Sequence, residues 1–181
     1  MKIIVRGTNW VGDAVMQIPA LREIRRVFPE AHITLCTKDW AQGIFEDVKF
    51  IDDFLTIEAD ESVLQQAKKW RKGKFDLAIL FTNSFQTALI SKLGKAKTRF
   101  GYANEGRSFL LTNSIEKPIW KDERHEIYYY LNLVAELAKH YFGITSVQNV
   151  IFELTVSDER KTEARQILSE NGVDLIKKII S

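Results

Sequence analysis

Near the amino terminus, Gly7-Thr8-Asn9-Trp10-Val11-Gly12-Asp13 joins a glycine-bounded loop to a carboxylate. The apolar run Ile3-Ile4-Val5 precedes it and an apolar helical pattern follows from Ala14. The order is strand, glycine loop, helix, which puts Asp13 at a helix N-terminus. The spacing of Gly7 and Gly12 fits GxxxxGK[ST], but Asp13 occupies the lysine position and Ala14 that of the magnesium-binding hydroxyl. A nucleotide phosphate would meet a like charge there. The opposite task suits the loop, because a carboxylate can take a proton from a bound hydroxyl and the helix dipole favours an anion by about 0.3 to 1 kcal/mol at exposed sites. Spacing alone leaves a second reading open, in which Asp13 only caps the helix.

Other residues could supply contacts. Thr82-Asn83-Ser84-Phe85-Gln86 follows a later apolar run, and Asn83, Ser84 and Gln86 offer neutral donors and acceptors for sugar hydroxyls. Capping of the next helix is an equal use for Thr82-Asn83-Ser84 and the better assignment for any one of them. Basic residues gather at Lys68, Lys69, Arg71, Lys72 and Lys74, and again at Lys92, Lys95, Lys97 and Arg99, with Arg107 beyond a Gly101–Gly106 turn. Most such runs are solvated faces. Arg99 and Arg107 stand out because guanidinium forks suit carboxylates and phosphates and each lies near an aromatic residue, Phe100 or Phe109. His32, His125 and His140 are far apart and Cys36 is alone, so no metal centre is expected. No GxGxxG follows the first strand and no GxSxG elbow occurs, which argues against a dehydrogenase or an α/β-hydrolase.

The elements that must position these residues follow from patterning. Strand-like runs at Lys2–Arg6, His32–Thr37, Phe50–Ile57 and Phe75–Phe81 alternate with helical patterns at Ala14–Phe28, Glu61–Trp70 and Phe85–Leu93. Such alternation predicts an α/β fold, a parallel sheet with helices on both faces, whose ligands sit beyond the carboxyl ends of the strands. The loops at 7–13 and 82–86 should then share one crevice. Pro19 is expected to start or kink the first helix. A long helical pattern, Glu123–Phe142, ends at Gly143, and its tyrosines read as core. Phe152–Val156 alternates like a strand, and Ser157 should cap a last helix reaching Asn171-Gly172.

With 181 residues, 45% of them hydrophobic, the chain suits one well-packed domain. The 26 basic and 24 acidic residues give a net charge of +2, so no whole-molecule field draws nucleic acid. Cys36 cannot form an intramolecular disulfide and reads as a small buried hydrophobe. No apolar run approaches the roughly 20 residues of a membrane span, and a strand follows Met1-Lys2 directly, so a cytoplasmic location is expected.

Taken together, Gly7–Asp13, the helix ending Leu21-Arg22-Glu23-Ile24-Arg25-Arg26-Val27-Phe28-Pro29, and Thr82-Asn83-Ser84-Phe85-Gln86-Thr87-Ala88-Leu89 resemble the bacterial ADP-heptose:lipopolysaccharide heptosyltransferases of glycosyltransferase family 9, most like their heptosyltransferase II group. Arg99-Phe100-Gly101-Tyr102, Arg107–Asn113 and His125 support the likeness. The resemblance implies a GT-B protein of two Rossmann-like domains. Residues 1–173 would be the acceptor-binding domain and residues 174–181, with Lys177-Lys178-Ile179-Ile180, the start of a donor-binding domain that holds ADP-heptose. It implies transfer of L-glycero-D-manno-heptose to the lipopolysaccharide inner core with inversion and no cofactor or metal, with Asp13 as general base. Asn9, Trp10, Gly12, Asn83, Ser84, Gln86, Arg99, Arg107 and His125 are the acceptor-binding residues it suggests. Peripheral contact with the inner face of the inner membrane is compatible with such an acceptor. Thr8 and Asn9 stand where relatives often carry other small residues. A stand-alone carbohydrate- or lipopolysaccharide-binding module is the alternative, although a pure binder has little use for Asp13. An unrelated nucleotide-binding domain is disfavoured by the carboxylate in the loop.

Overall fold

The computed structural model describes residues 1–144 and 150–174. Strands β1 (Lys2–Arg6), β2 (His32–Lys38), β3 (Asp53–Ile57), β4 (Leu77–Leu80), β5 (Thr98–Tyr102) and β6 (Asn113–Ile115) form one sheet in the order β3-β2-β1-β4-β5-β6. Every neighbouring pair is parallel. Parallel strands need crossovers. These are built on α1 (Val11–Met16), α2 (Ile18–Val27), α3 (Asp39–Phe45), α4 (Val63–Gly73) and α5 (Phe85–Leu93), while α6 (Glu126–Phe142) and α7 (Asp158–Glu170) follow the sheet.

Strand side chains alternate between two cores, as a pleated sheet with both faces covered requires. Ile3, Val5, Ile33, Leu35, Leu77, Ile79, Phe100 and Tyr102 face a layer that contains α2 and α6. Ile4, Cys36, Ala78 and Leu80 face Trp70 of α4 and Ala88 and Ile90 of α5. Burial of Cys36 there pushes its thiol pKa up to about 11, so it acts as a hydrophobe. The fold class read from the sequence, a Rossmann-like parallel sheet with helices on both faces, is the one observed.

Local signals explain the boundaries. The first helical pattern divides at Gln17, whose N–H reaches the Asp13 carbonyl, and Pro19 lies in the opening turn of α2, where its missing donor is not needed. Ser62 and Gln65 form a capping box at α4. Gly94 ends α5 because a Cβ there would lie 2.6 Å from Trp70 Cβ and 2.9 Å from the Ile90 carbonyl oxygen. Gly143 closes α6 with φ 67°.

Some expectations change. Helix α3 and strands β5 and β6 extend the fold beyond the predicted elements. The pattern at Phe152–Val156 is not a strand; these residues are exposed and have no strand partner among the described residues. Ser157 does cap α7, accepting from the Arg160 N–H. Tyr129 and Tyr130 are core residues as expected, but Tyr128 and Tyr141 are exposed. The expected strand at Lys177–Ile180 lies outside the described residues. Among the described residues no helix is long and apolar enough to cross a membrane.

Candidate active site

The chain direction across the sheet reverses between β1 and β4, the position at which open α/β sheets gather ligands beyond their carboxyl edge. The loop after β1 carries Asp13 and the loop after β4 carries Asn83. Helix α6 joins them. The Tyr130 hydroxyl donates to Asp13 Oδ1 at 3.4 Å, and Asn83 Nδ2 donates to the hydroxyl of the adjacent Tyr129 at 3.1 Å.

Asp13 is the third residue of α1, and the capping position belongs to Trp10, whose side chain makes no cap hydrogen bond. The simple capping reading therefore fails on position. Asp13 is half-buried, and among the described residues no lysine or arginine pairs with it. Burial, with Asp13 as the next largest influence, pushes the Tyr130 pKa well above that of a free tyrosine. Tyr130 therefore stays a donor to the carboxylate at neutral pH.

The loop rests on a polar base. Buried Arg6 donates to the Gly7 carbonyl and, at 2.7 Å, to Asn9 Oδ1. Burial pulls the Arg6 pKa below its ordinary value. Gln17 is fully buried and its Oε1 accepts from the Thr8 N–H at 3.3 Å. Position 7 is tight, since a Cβ there would lie 3.2 Å from Gln17 Nε2 and from Leu35 Cδ1 and these side chains would have to give way by a few tenths of an ångström. At Gly12 a Cβ would meet nothing within 4 Å. Gly12→Ala is therefore expected to raise stability by about 0.5 to 1 kcal/mol, the usual gain in a helix, while its methyl narrows the space over the loop. Thermal unfolding and acceptor titration of this variant check the two effects.

The remaining candidates separate. Trp10 is 75% exposed beside Asp13, and Gln86 is exposed on the first turn of α5. Ser84 caps α5, accepting from the Thr87 N–H at 3.3 Å. Asn83 is engaged at both ends, since its Oδ1 accepts from Arg107 Nη2 at 3.3 Å. His125 caps α6, with Nδ1 accepting from the Ile127 N–H at 3.3 Å, and its ring is exposed.

Two expectations are corrected. Arg107 is fully buried and cannot offer its fork to a ligand. Its Nε donates to the Tyr102 carbonyl at 2.9 Å and its Nη1 to the Thr82 carbonyl at 2.6 Å and the Ser84 carbonyl at 3.2 Å. It clamps the 82–84 loop onto the end of β5. Burial lowers its pKa to about 10, which leaves it charged at neutral pH. Arg107→Lys is expected to cost roughly 2 kcal/mol, because one ammonium cannot replace a fork that serves several carbonyls. Denaturant titration reads that loss. Arg99 pairs in register with Ala78, toward the opposite end of the sheet from Asp13, and it donates to the Ala96 and Leu110 carbonyls at 2.8 Å. It holds the α5–β5 and β5–β6 connections.

Sequence reasoning missed the roles of Tyr129 and Tyr130, whose helical spacing signals burial but not where a hydroxyl ends. A pocket of about 440 Å³ beside Glu58, Glu61 and Lys69 is no rival site, since Lys69 lies 2.8 Å from Glu61 and 3.5 Å from Glu58. Among the described residues no group of three or more His, Cys, Asp or Glu could hold a metal ion.

The Rossmann-ordered sheet is shared with solved glycosyltransferases. The structure of Escherichia coli ADP-heptose LPS heptosyltransferase II aligns with a TM-score of 0.78 over 97% of this chain and 52% of that one, at 22% identity. A family 9 glycosyltransferase from Veillonella parvula aligns with a TM-score of 0.80 over 96% of this chain and 50% of that one, at 20% identity. Among curated sequences, lipooligosaccharide heptosyltransferase 2 of Haemophilus ducreyi is 27% identical over 118 residues, 62% of this chain and 34% of the relative. The pattern of glycosyltransferase family 9 (heptosyltransferase) matches residues 63–176, and the chain belongs to that family. It spans about a third of the length of this curated relative and about half of the solved ones. The family match includes the 82–86 loop and α6 but begins after Asp13.

Proposed function

We propose that this chain is the acceptor-binding half of a heptosyltransferase that transfers heptose from ADP-L-glycero-D-manno-heptose to the lipopolysaccharide inner core with inversion, Asp13 acting as general base. The observation that carries this reading is the placement of Asp13. Its carboxylate stands at the switch point, held on one oxygen by Tyr130, with no cation paired to it among the described residues and open space over Gly12.

An acceptor hydroxyl seated over the loop attacks the anomeric carbon of the donor as Asp13 takes the hydroxyl proton. The new glycosidic bond forms while the bond to the ADP oxygen breaks, and ADP leaves with that electron pair. One displacement inverts the anomeric centre and needs no covalent intermediate. Tyr130 positions Asp13 Oδ1 and leaves Oδ2 for the proton. The general base must come within about 2.6 to 3.2 Å of the acceptor oxygen. Trp10, Gln86, Asn9 and His125, all exposed, are the residues proposed to touch the sugar, while Asn83, Ser84 and Arg107 shape the loop after β4. Donor binding falls mainly to a second domain. Such an enzyme works in the cytoplasm, at the inner face of the inner membrane.

Parallel calorimetric titrations with a delipidated heptose-Kdo acceptor and with ADP-heptose test this reading. Acceptor binding without donor binding supports an acceptor half. Tight donor or ADP binding would relocate the nucleotide site to this domain and overturn the assignment.

A further inference from the structure

Charge is distributed unevenly along the chain. Of 26 basic and 24 acidic residues, nine basic and only one acidic, Asp76, fall within residues 62–104. That stretch carries a net +8 and the remainder a net −6. In the fold it forms α4, β4, α5 and most of β5, with the two helices side by side on one face of the sheet. Lys68, Arg71, Lys72, Lys74, Lys92 and Lys95 have no acidic partner among the described residues.

Four of the nine basic residues meet at a pocket of about 400 Å³ lined by Arg71, Lys74, Phe75, Gly94, Lys95 and Lys97. It lies where α4 and α5 end, opposite the edge that carries Asp13. Only Lys97 is neutralised, by Asp76 at 2.7 Å. Lysines in the last turn of a helix have a structural use, since they complement its dipole. That does not account for Lys74 and Lys95. Both lie just beyond a helix with left-handed φ of 53° and 59°, and Glu105 is the only other described non-glycine residue with positive φ. Glycine is the residue such positions favour, and a side chain there costs about 1 to 2 kcal/mol. The strain is accepted at two adjacent helix ends, and both times the residue is a lysine facing the same pocket.

We infer that the α4–α5 face docks on an anionic phospholipid surface, with the Lys74–Lys95 pocket receiving a headgroup phosphate. Extended cationic faces suit a charged bilayer, where each lysine or arginine near the surface strengthens binding additively. Docking at this end leaves the crevice at Asp13 uncovered. The inference does not depend on the role of Asp13, because vesicle binding requires neither donor nor acceptor.

The test is co-sedimentation of the chain with vesicles of equal parts phosphatidylglycerol and phosphatidylcholine, against phosphatidylcholine alone. Binding is expected only to the anionic vesicles and should fall with salt. Lys74→Gly combined with Lys95→Gly should weaken it about thirtyfold, roughly fivefold for each lysine. Glycine suits both backbone conformations, so the fold should be kept. Lys49→Gln combined with Lys139→Gln, which remove the same charge elsewhere, should change binding less than about twofold. An equal loss from that control, or equal binding to phosphatidylcholine, would overturn the inference. So would release by inorganic phosphate but not by sodium chloride of equal ionic strength, which would assign the pocket to a free anion. Tighter binding to a single-stranded oligonucleotide than to vesicles would assign the face to nucleic acid.

Discussion

Asp13→Asn, in a two-domain heptosyltransferase carrying this chain as its acceptor half, is expected to lower turnover by at least about 100-fold, the lower bound of a general-base contribution. Asparagine keeps the shape and an oxygen that accepts from Tyr130, so the contact to α6 survives. The amide cannot accept the acceptor's proton. A loss of 100-fold is about 2.7 kcal/mol in the barrier. Stabilisation of a helix by a first-turn anion is about 0.3 to 1 kcal/mol and acts on folding, not turnover. Two measurements therefore separate the roles. Steady-state turnover should collapse while the thermal midpoint moves little; near-normal turnover with a lowered midpoint would make Asp13 a helix-stabilising residue only.

Alkaline pH is expected to unfold the domain steeply. Tyr102, Tyr129 and Tyr130 are 1%, 1% and 4% exposed, and burial pushes all three pKa values up, Tyr129 to about 12 and the others further. A raised folded-state pKa gives stability that is fully present below the unfolded value near 10 and is lost above it, because only the unfolded chain releases the proton. At pH 11 each tyrosine costs about 1.4 kcal/mol, roughly 4 kcal/mol for the three. Arg107 opposes this. Its pKa is lowered to about 10 by burial, and Arg6 shifts the same way, so Arg107 offsets about a third of the loss. Buried Cys36, its thiol held up to about 11, adds about 2 kcal/mol to the loss, so a net fall of about 5 kcal/mol between pH 9 and 11 remains, measurable by denaturant titration at each pH. Tyr102→Phe, which keeps the ring stacked on Tyr129 at 4.1 Å, should flatten that slope. An unchanged slope would show that Tyr102 does not drive the transition.

Much of this was legible in the sequence because the fold uses strong local signals. The run Ile3-Ile4-Val5, the glycine loop and Asp13 place strand, turn and helix unaided, and Ser84 with Gly94 bounds α5 as read. Strands β5 and β6 were not legible. Thr98–Tyr102 interrupts its apolar pattern with Arg99 and Gly101, and Asn113–Ile115 is too short to show a period. Phe152–Val156 has the alternation of a strand, but a strand needs a neighbour and the described residues supply none there. Arg107 was misread for a general reason. Arginine is rarely buried, and only tertiary structure reveals that the carbonyls of Tyr102, Thr82 and Ser84 converge on one point. Conversely, the two lysine runs passed as solvated faces because sequence does not show that the ends of two helices lie together.

Consecutive tyrosines on α6 have a mechanical consequence. Tyr129 grips the loop after β4 and Tyr130 the loop after β1, while at the far end of the same helix Tyr141 and Phe142 pack against Phe28, at the end of α2. The two lips of the crevice thus hang from a single rod that is fixed behind the sheet. A slide of that rod by one residue's rise, about 1.5 Å, would displace both lips together. A displacement of the loop after β4 would in this way be felt at Asp13, and packing at the opposite end of the domain would set the width of the crevice.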